Sequence, residues 1–278
     1  MSQEKLWEED DGRAGPTISA TELGSYSRVR FCSRCAWVRL HIKNLPYQSF
    51  PGIFSSIDRY NKLIVHNHFD REGRAPSWLS GLGELGEYID PPHWSRFKAL
   101  DEETGITLRG EADGIFKLAD GSYAIVDYKT SRYNPDRPGM FTNYEVQLNA
   151  YALIAERLGL SPVSRLALVY MEPATDKETS NEPNLVDARG FVMAFHANVV
   201  PVEIRLTSLL SPLLHKVRDI WDMETPPKAA RDCKDCAAVN GLLESLVGSA
   251  KDIPLSHAHL RERDFLCRRV AATQPTAG

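Results

Sequence analysis

Two periodicities alternate along this chain. In the first part apolar residues recur at helical spacing. Ser25–Leu40 (SYSRVRFCSRCAWVRL) reads as a helix in which Arg28, Arg30, Arg34 and Arg39 stand among Tyr26, Phe31 and Trp37. A second helix is predicted over about 53–69, where Ile53, Ile57, Tyr60 and Ile64 form an apolar stripe. Gly73 to Pro92 is rich in Pro and Gly and reads as connections. From Ile106 the period shortens to two. Ile106–Arg109, Glu111–Leu118 and Tyr123–Lys129 read as strands, and Ala119-Asp120-Gly121-Ser122 is a hairpin turn between the last two. Tyr144–Leu158 returns to helical spacing and stops at Gly159. Val163–Tyr170 is an apolar strand, and the strand–helix–strand order predicts parallel pairing across the helix. Phe191–Phe195 is a further strand candidate. Leu206, Leu209, Leu210, Leu213, Leu214, Val217, Ile220 and Trp221 mark a core-packed helix that Pro226-Pro227 ends.

With 278 residues, 42% hydrophobic and 25% charged, the chain has the composition of an ordinary soluble protein. Disordered, collagen-like and disulfide-dense classes are excluded. No apolar run reaches the ~18 residues of a membrane helix, so no membrane is expected as partner. MSQEKLWEEDDG carries five acids and one lysine, which is not a signal-peptide pattern. A cytoplasmic protein with reduced thiols is the expectation. Those twelve residues hold the whole net charge of −4, so the body sums to zero. A neutral body argues against a general nucleic-acid coat, although local basic patches can hold a phosphate backbone. Residues 1–17 and 271–278 read as disordered, leaving 18–270 as a single domain. No internal repeat is visible.

Four of the five cysteines form two C-x2-C pairs, Cys32/Cys35 and Cys233/Cys236, while Cys267 stands alone. Without an export signal, such pairs suggest metal binding more than disulfides. Some 197 residues separate Cys35 from Cys233, so four thiolates would close the domain like a staple. By ligand spacing alone, a four-cysteine zinc site and an iron–sulfur cluster are both open.

The chemistry concentrates in GEADGIFKLADGSYAIVDYK, residues Gly110–Lys129. Residues two apart on a strand share a face, so Asp127 and Lys129 point together, as do Glu111 and Asp113. The hairpin would bring two or three carboxylates and one ammonium to one place. A hard cation such as Mg2+ is held by few carboxylates plus water and phosphate oxygens. Solvated charges on a surface hairpin are the plainer reading. However, Asp127 follows the apolar run Tyr123–Val126, and a carboxylate at the end of a buried strand must be paired or liganded.

These residues resemble the RecB-like branch of the PD-(D/E)XK nucleases, including the CRISPR-adaptation type. Its motifs are matched by Gly110–Asp113, by Asp127-Tyr128-Lys129, and by Gln147 with Tyr151, preceded by Tyr144. The resemblance implies an α/β fold of restriction-endonuclease type, a mixed sheet core flanked by helices with a helical, cysteine-ligated periphery. It implies a metal-dependent DNA nuclease acting as an exonuclease on single strands or duplex ends. Asp113, Asp127 and the Tyr128 carbonyl would hold Mg2+ or Mn2+, Lys129 would be the catalytic lysine, and Gln147 and Tyr151 would contact DNA. It also implies a [4Fe–4S] cluster on Cys32, Cys35, Cys233 and Cys236, although relatives place one cysteine early and three late. Protein partners in a repair or defence complex would follow. A catalytically inactive, metal-stapled DNA-binding or assembly subunit is the alternative.

Spacing supports part of this independently, because Gln147 and Tyr151 are i,i+4 on one helix face. Leu148, Ala152 and Ala155 would pack on the sheet. The basic segment Arg28–Arg39 would track a backbone, with Tyr26 and Trp37 as stacking candidates. Many relatives carry a histidine ligand before the first strand, where His68 continues the apolar stripe and His66 lies with Arg59 and Lys62. Neither is assigned to the site.

Overall fold

The computed structural model describes residues 15–42, 52–134 and 138–250, with no side-chain description for 138–140 and 246–250. The chain divides into two compact units, Met1–Ala230 and Arg231–Gly278. The second contributes one described helix, α6 (Lys234–Ala250). The predicted disorder at 271–278, most of that at 1–17, and Cys267 lie outside the described residues.

The first unit is built on a mixed five-stranded sheet in the order β10-β7-β6-β5-β2. These strands are β2 (Leu85–Ile89), β5 (Gly114–Leu118), β6 (Tyr123–Lys129), β7 (Val163–Pro173) and β10 (Phe195–Val202). β6 runs parallel to β7, and the other neighbours are antiparallel. The 119–122 hairpin forms as the turn residues predict: Gly121 takes φ 85° and Asp120 caps the Ser122 N–H at 2.9 Å. A three-stranded sheet of β1 (Thr17–Ser19), β3 (Lys98–Asp101) and β4 (Ile106–Arg109) lies in the order β1-β4-β3. Val186–Asp187 (β8) and Gly190–Phe191 (β9) form a small ribbon.

The large sheet separates two apolar clusters, and alternation along β6 assigns its residues to them. Ile125 belongs to the cluster formed with α4 (Pro138–Arg157) and α5 (Leu206–Trp221). Ala124, Val126 and Tyr128 belong to the other, with Val65 and Phe69 of α3 (Gly52–Glu72). With a side-chain period of two, Asp127 and Lys129 therefore face α4. That helix is buried on most sides: Val146, Leu148, Ala150, Ala152, Ile154 and Ala155 are all fully enclosed. Its buried Asn149 donates to the carbonyls of Glu145 (2.9 Å) and Glu203 (3.0 Å) and accepts from the Arg205 N–H at 2.6 Å.

Several local expectations change. Ser25–Leu40 is not one helix. α1 (Ala20–Gly24) leads into a 3-10 turn, the chain is extended at Arg28, and α2 covers Ser33–His41. The break lets Tyr26 and Phe31 come together, rings 5.0 Å apart, beneath Lys216 of α5, whose ammonium lies 3.5 Å from the Phe31 centroid and donates to the Tyr26 carbonyl. Tyr26 is core, and Trp37 is stacked on His41 at 4.2 Å with its indole donating to the Met223 carbonyl. Neither ring is offered to a base. On α3 the stripe of Ile53, Tyr60 and Ile64 is exposed, whereas Asn61 and Val65 are buried. The 73–92 segment contains a 3-10 turn, Ser77–Leu82, and edge strand β2 rather than connections alone. The strand predicted at 191–195 instead runs Phe195–Val202, and Thr17 is ordered in β1.

Candidate active site

Asp127 is the residue around which the site is organised. It is 2% exposed, at the end of a strand bonded on both sides. Gly114 pairs with Val126, which sets Asp113 beside Asp127 where the hairpin opens. The Tyr128 N–H donates to Asp113 Oδ2 at 2.7 Å and fixes that carboxylate to the neighbouring strand. Lys129 reaches back over its own strand face, pairs with Asp127, donates to Gln147 Oε1 at 3.1 Å, and lies 4.3 Å from the Tyr144 centroid. Gln147 Nε2 in turn donates to Asp127 Oδ1 at 3.1 Å and to the Tyr151 hydroxyl at 2.7 Å. The residues singled out in sequence, Asp113, Asp127, Tyr128, Lys129, Gln147 and Tyr151, thus form one hydrogen-bonded cluster. The exception is Glu111, which is exposed and precedes β5.

One group was not anticipated. Lys62 of α3 places its ammonium 2.7 Å from Asp113 Oδ1 and 2.9 Å from Asp58. Beside it, buried Asn61 donates to Thr130 Oγ1 at 3.4 Å and ties the helix to the end of β6. A sequence signal existed: Asp58 and Lys62 are an i,i+4 pair on the face that also carries Asn61 and Val65. The apolar stripe drew attention to the opposite face. His66, on the same helix, stands near Asp70 and Asp90 at 3.7 Å and against the Tyr88 ring at 4.8 Å. His68 is half-buried.

Burial sets the electrostatics. Desolvation, with the nearby Asp127 charge, raises the Asp113 pKa to about 7. Desolvation also raises Asp127, against the opposing pull of Lys129. Burial works to lower Lys62, but Asp113 and Asp58 outweigh it and hold the ammonium firmly protonated. Tyr151 is raised by burial and then by Asp127. Asp127 Oδ2 has the Lys129 ion pair and no hydrogen bond. Two adjacent carboxylates that both resist ionisation are a fitting donor set for a hard divalent cation, which would relieve the repulsion.

A profile of the PD-(D/E)XK nuclease superfamily matches residues 59–240. The chain belongs to the PD-(D/E)XK nuclease superfamily. Its mixed sheet flanked by helices is the restriction-endonuclease type of fold. Among solved structures, the protein SSO0001 shares 13% identity at TM-score 0.30, over 76% of this chain and 78% of that one. An alkaline exonuclease from Laribacter hongkongensis shares 10% identity at TM-score 0.30, over 87% of this chain and 97% of its own. No curated protein matches the chain significantly. Among the described residues no helix is long and apolar enough to cross a membrane.

The cysteine pairs occupy equivalent local positions in their separate units. Cys32 precedes α2 and accepts the Ala36 N–H on its carbonyl, and Cys35 lies in the first turn. Cys233 precedes α6 and likewise accepts from the Ala237 N–H, with Cys236 in the first turn. Each C-x2-C thus sits at a helix N-terminus. The four thiols are a donor set that could bind a metal.

Proposed function

We propose that this superfamily member is a divalent-metal-dependent exodeoxyribonuclease of the RecB-like, CRISPR-adaptation branch, acting on single strands or duplex ends. The observation that carries the reading is the continuous link Asp113–Tyr128–Asp127–Gln147–Lys129 at the mouth of the β5–β6 hairpin. A retired site has no reason to keep two buried carboxylates and a lysine in contact.

Asp113 and Asp127, with the Tyr128 carbonyl, would hold Mg2+ or Mn2+. Such a cation polarises the phosphate and lowers the pKa of its water. Lys129 is placed to orient the attacking water and to offset charge building on the pentavalent phosphorus. Gln147 holds both Lys129 and Asp127, so it sets the angle between the two catalytic groups. Lys62 supplies a second positive charge on the far side of Asp113. At the cysteines the proposal is a [4Fe–4S] cluster, with zinc as the other occupant consistent with four thiolates.

The test is incubation of labelled single- and double-stranded DNA with Mg2+, Mn2+ or EDTA. Wild-type protein should cut only with metal, and Asp127→Ala should not cut. Lys129→Ala should turn over about a hundredfold more slowly while still binding, as for other lost charge-stabilising groups. Binding without cutting by wild-type protein would mark an inactive subunit instead.

A further inference from the structure

A hollow opens beside the cluster, and neither Asp113 nor Asp127 lines it. Its volume is about 420 Å3, and its walls include Trp94, Arg109, Gly110, Glu111, Tyr151 and Thr21. Tyr151 and Gly110 belong to the motif set, and the Tyr151 hydroxyl is one hydrogen bond from Gln147 and two from Asp127. Whatever occupies the hollow is therefore neighbour to the reacting centre.

Trp94 is the unusual member. It is 48% exposed, yet it is held on a rigid turn. The N–H groups of Arg96 and Phe97 close the turn on the His93 carbonyl at 2.8 and 3.0 Å. Phe97 is fully buried against the Tyr151 ring at 6.0 Å, and the Phe97 carbonyl accepts from the Gly110 N–H at 3.0 Å. The turn thus anchors Phe97 in the core and holds Trp94 outside it. The Arg109 guanidinium lies over one face of the Trp94 ring, 5.7 Å from its centroid. A half-exposed indole beside a guanidinium is the arrangement that stacks a nucleobase and meets its phosphate.

We propose that this hollow is a subsite for an unpaired nucleobase of single-stranded DNA, stacked on Trp94 with its phosphate held by Arg109. The proposal rests on the nuclease reading and deepens it, because it selects single strands. A base inside a duplex has both faces covered and cannot enter.

The test is fluorescence anisotropy of a labelled oligothymidylate and a blunt duplex, without added divalent metal. Trp94→Ala should weaken oligothymidylate binding roughly tenfold or more while changing duplex binding little. Trp94→Phe should keep most of the affinity. Arg109→Gln should weaken binding and reduce the salt slope by about 0.7, the loss of one single-strand phosphate contact. Unchanged oligothymidylate affinity in Trp94→Ala, or an equal loss on the blunt duplex, overturns the subsite while leaving the nuclease reading in place. A wild-type protein that binds neither DNA overturns both.

Discussion

The ring of Tyr151 fills the space that a side chain at position 110 would need. A Cβ on Gly110 would lie 2.4 Å from Tyr151 Cε1 and 2.7 Å from Cδ1. The glycine and tyrosine of the two motifs are thus halves of one contact. Gly110→Ala should destabilise by about 1–3 kcal/mol through overpacking. For a chain of this size that lowers the melting temperature by roughly 2–4 °C per kcal/mol, readable by calorimetry. Combining it with Tyr151→Ala should cost less than the two single losses added together. Strict additivity would show that the contact does not matter.

Lys62→Met should destabilise the metal-free protein, because Asp113 keeps its burial and loses its counter-charge. Lys62 retains some solvent access, so the loss should be about 2 kcal/mol, below the ~3–5 of a fully buried pair. A urea titration reads it, and Lys62→Arg should recover most of it. A midpoint that does not move in Lys62→Met would show that the ion pair contributes nothing.

The raised Asp113 pKa makes stability depend on pH in a definite direction. The folded carboxyl binds its proton up to about pH 7, whereas the unfolded one releases it near the ordinary aspartate value of 3.8. Below about pH 4 both states are protonated and the contribution is complete. It is lost as pH rises toward 7, because the folded state then binds more protons than the unfolded one. Compared with Asp113→Asn, the metal-free wild type should therefore lose stability over this interval. Divalent-cation affinity should rise over the same range as the cation displaces the proton. Calorimetric titration with Mn2+ at several pH values checks this, and a flat profile would remove the assignment.

The proposed cysteine centre predicts that Cys233→Ser loses metal content and part of the protein's thermal stability, whereas Cys267→Ser changes neither. Elemental analysis after anaerobic purification decides between occupants: iron with a brown colour for a cluster, zinc without colour for the simpler site. Metal retained in Cys233→Ser would exclude this thiol as a ligand.

Where one period ran unbroken and the turn chemistry agreed, the sequence was a reliable guide. Tyr123–Lys129 and Leu206–Trp221 form over the residues expected, and the pairing of β6 with β7 is parallel as their order requires. Asp113, Asp127, Lys129, Gln147 and Tyr151 meet because short-range geometry places them. Lys62 was obscure for a physical reason: α3 turns a polar face inward to reach Asp113 and Thr130 and leaves Ile53, Tyr60 and Ile64 outside. Amphipathic reasoning assumes an apolar contact, and here the inward face is mixed, Asn61 and Lys62 lying beside Val65 and Phe69. β1, β3 and β2 are short edge or minor-sheet strands, with too few residues to display a period. The break after Ser27 is accompanied by contacts of Tyr26 and Phe31 with Lys216, almost two hundred residues away, which no local window contains.

Asn149 has no atom in the Asp113–Asp127–Lys129–Gln147 cluster, yet it lies two residues from Gln147 on the same helix and ties that helix to a loop. Its amide grips the carbonyl of Glu203 and the N–H of Arg205, both on the connection between β10 and α5. Close apolar packing already restricts rolling of the helix about its long axis, but a small roll breaks no directional bond there. Directional bonds to a fixed loop do not permit it. Rotational play in α4 would be passed straight to the Gln147 amide two residues away, and through it to Lys129 and Asp127 together. The aim of the proposed catalytic groups is therefore also constrained from the opposite flank of the helix, by a side chain outside the cleft.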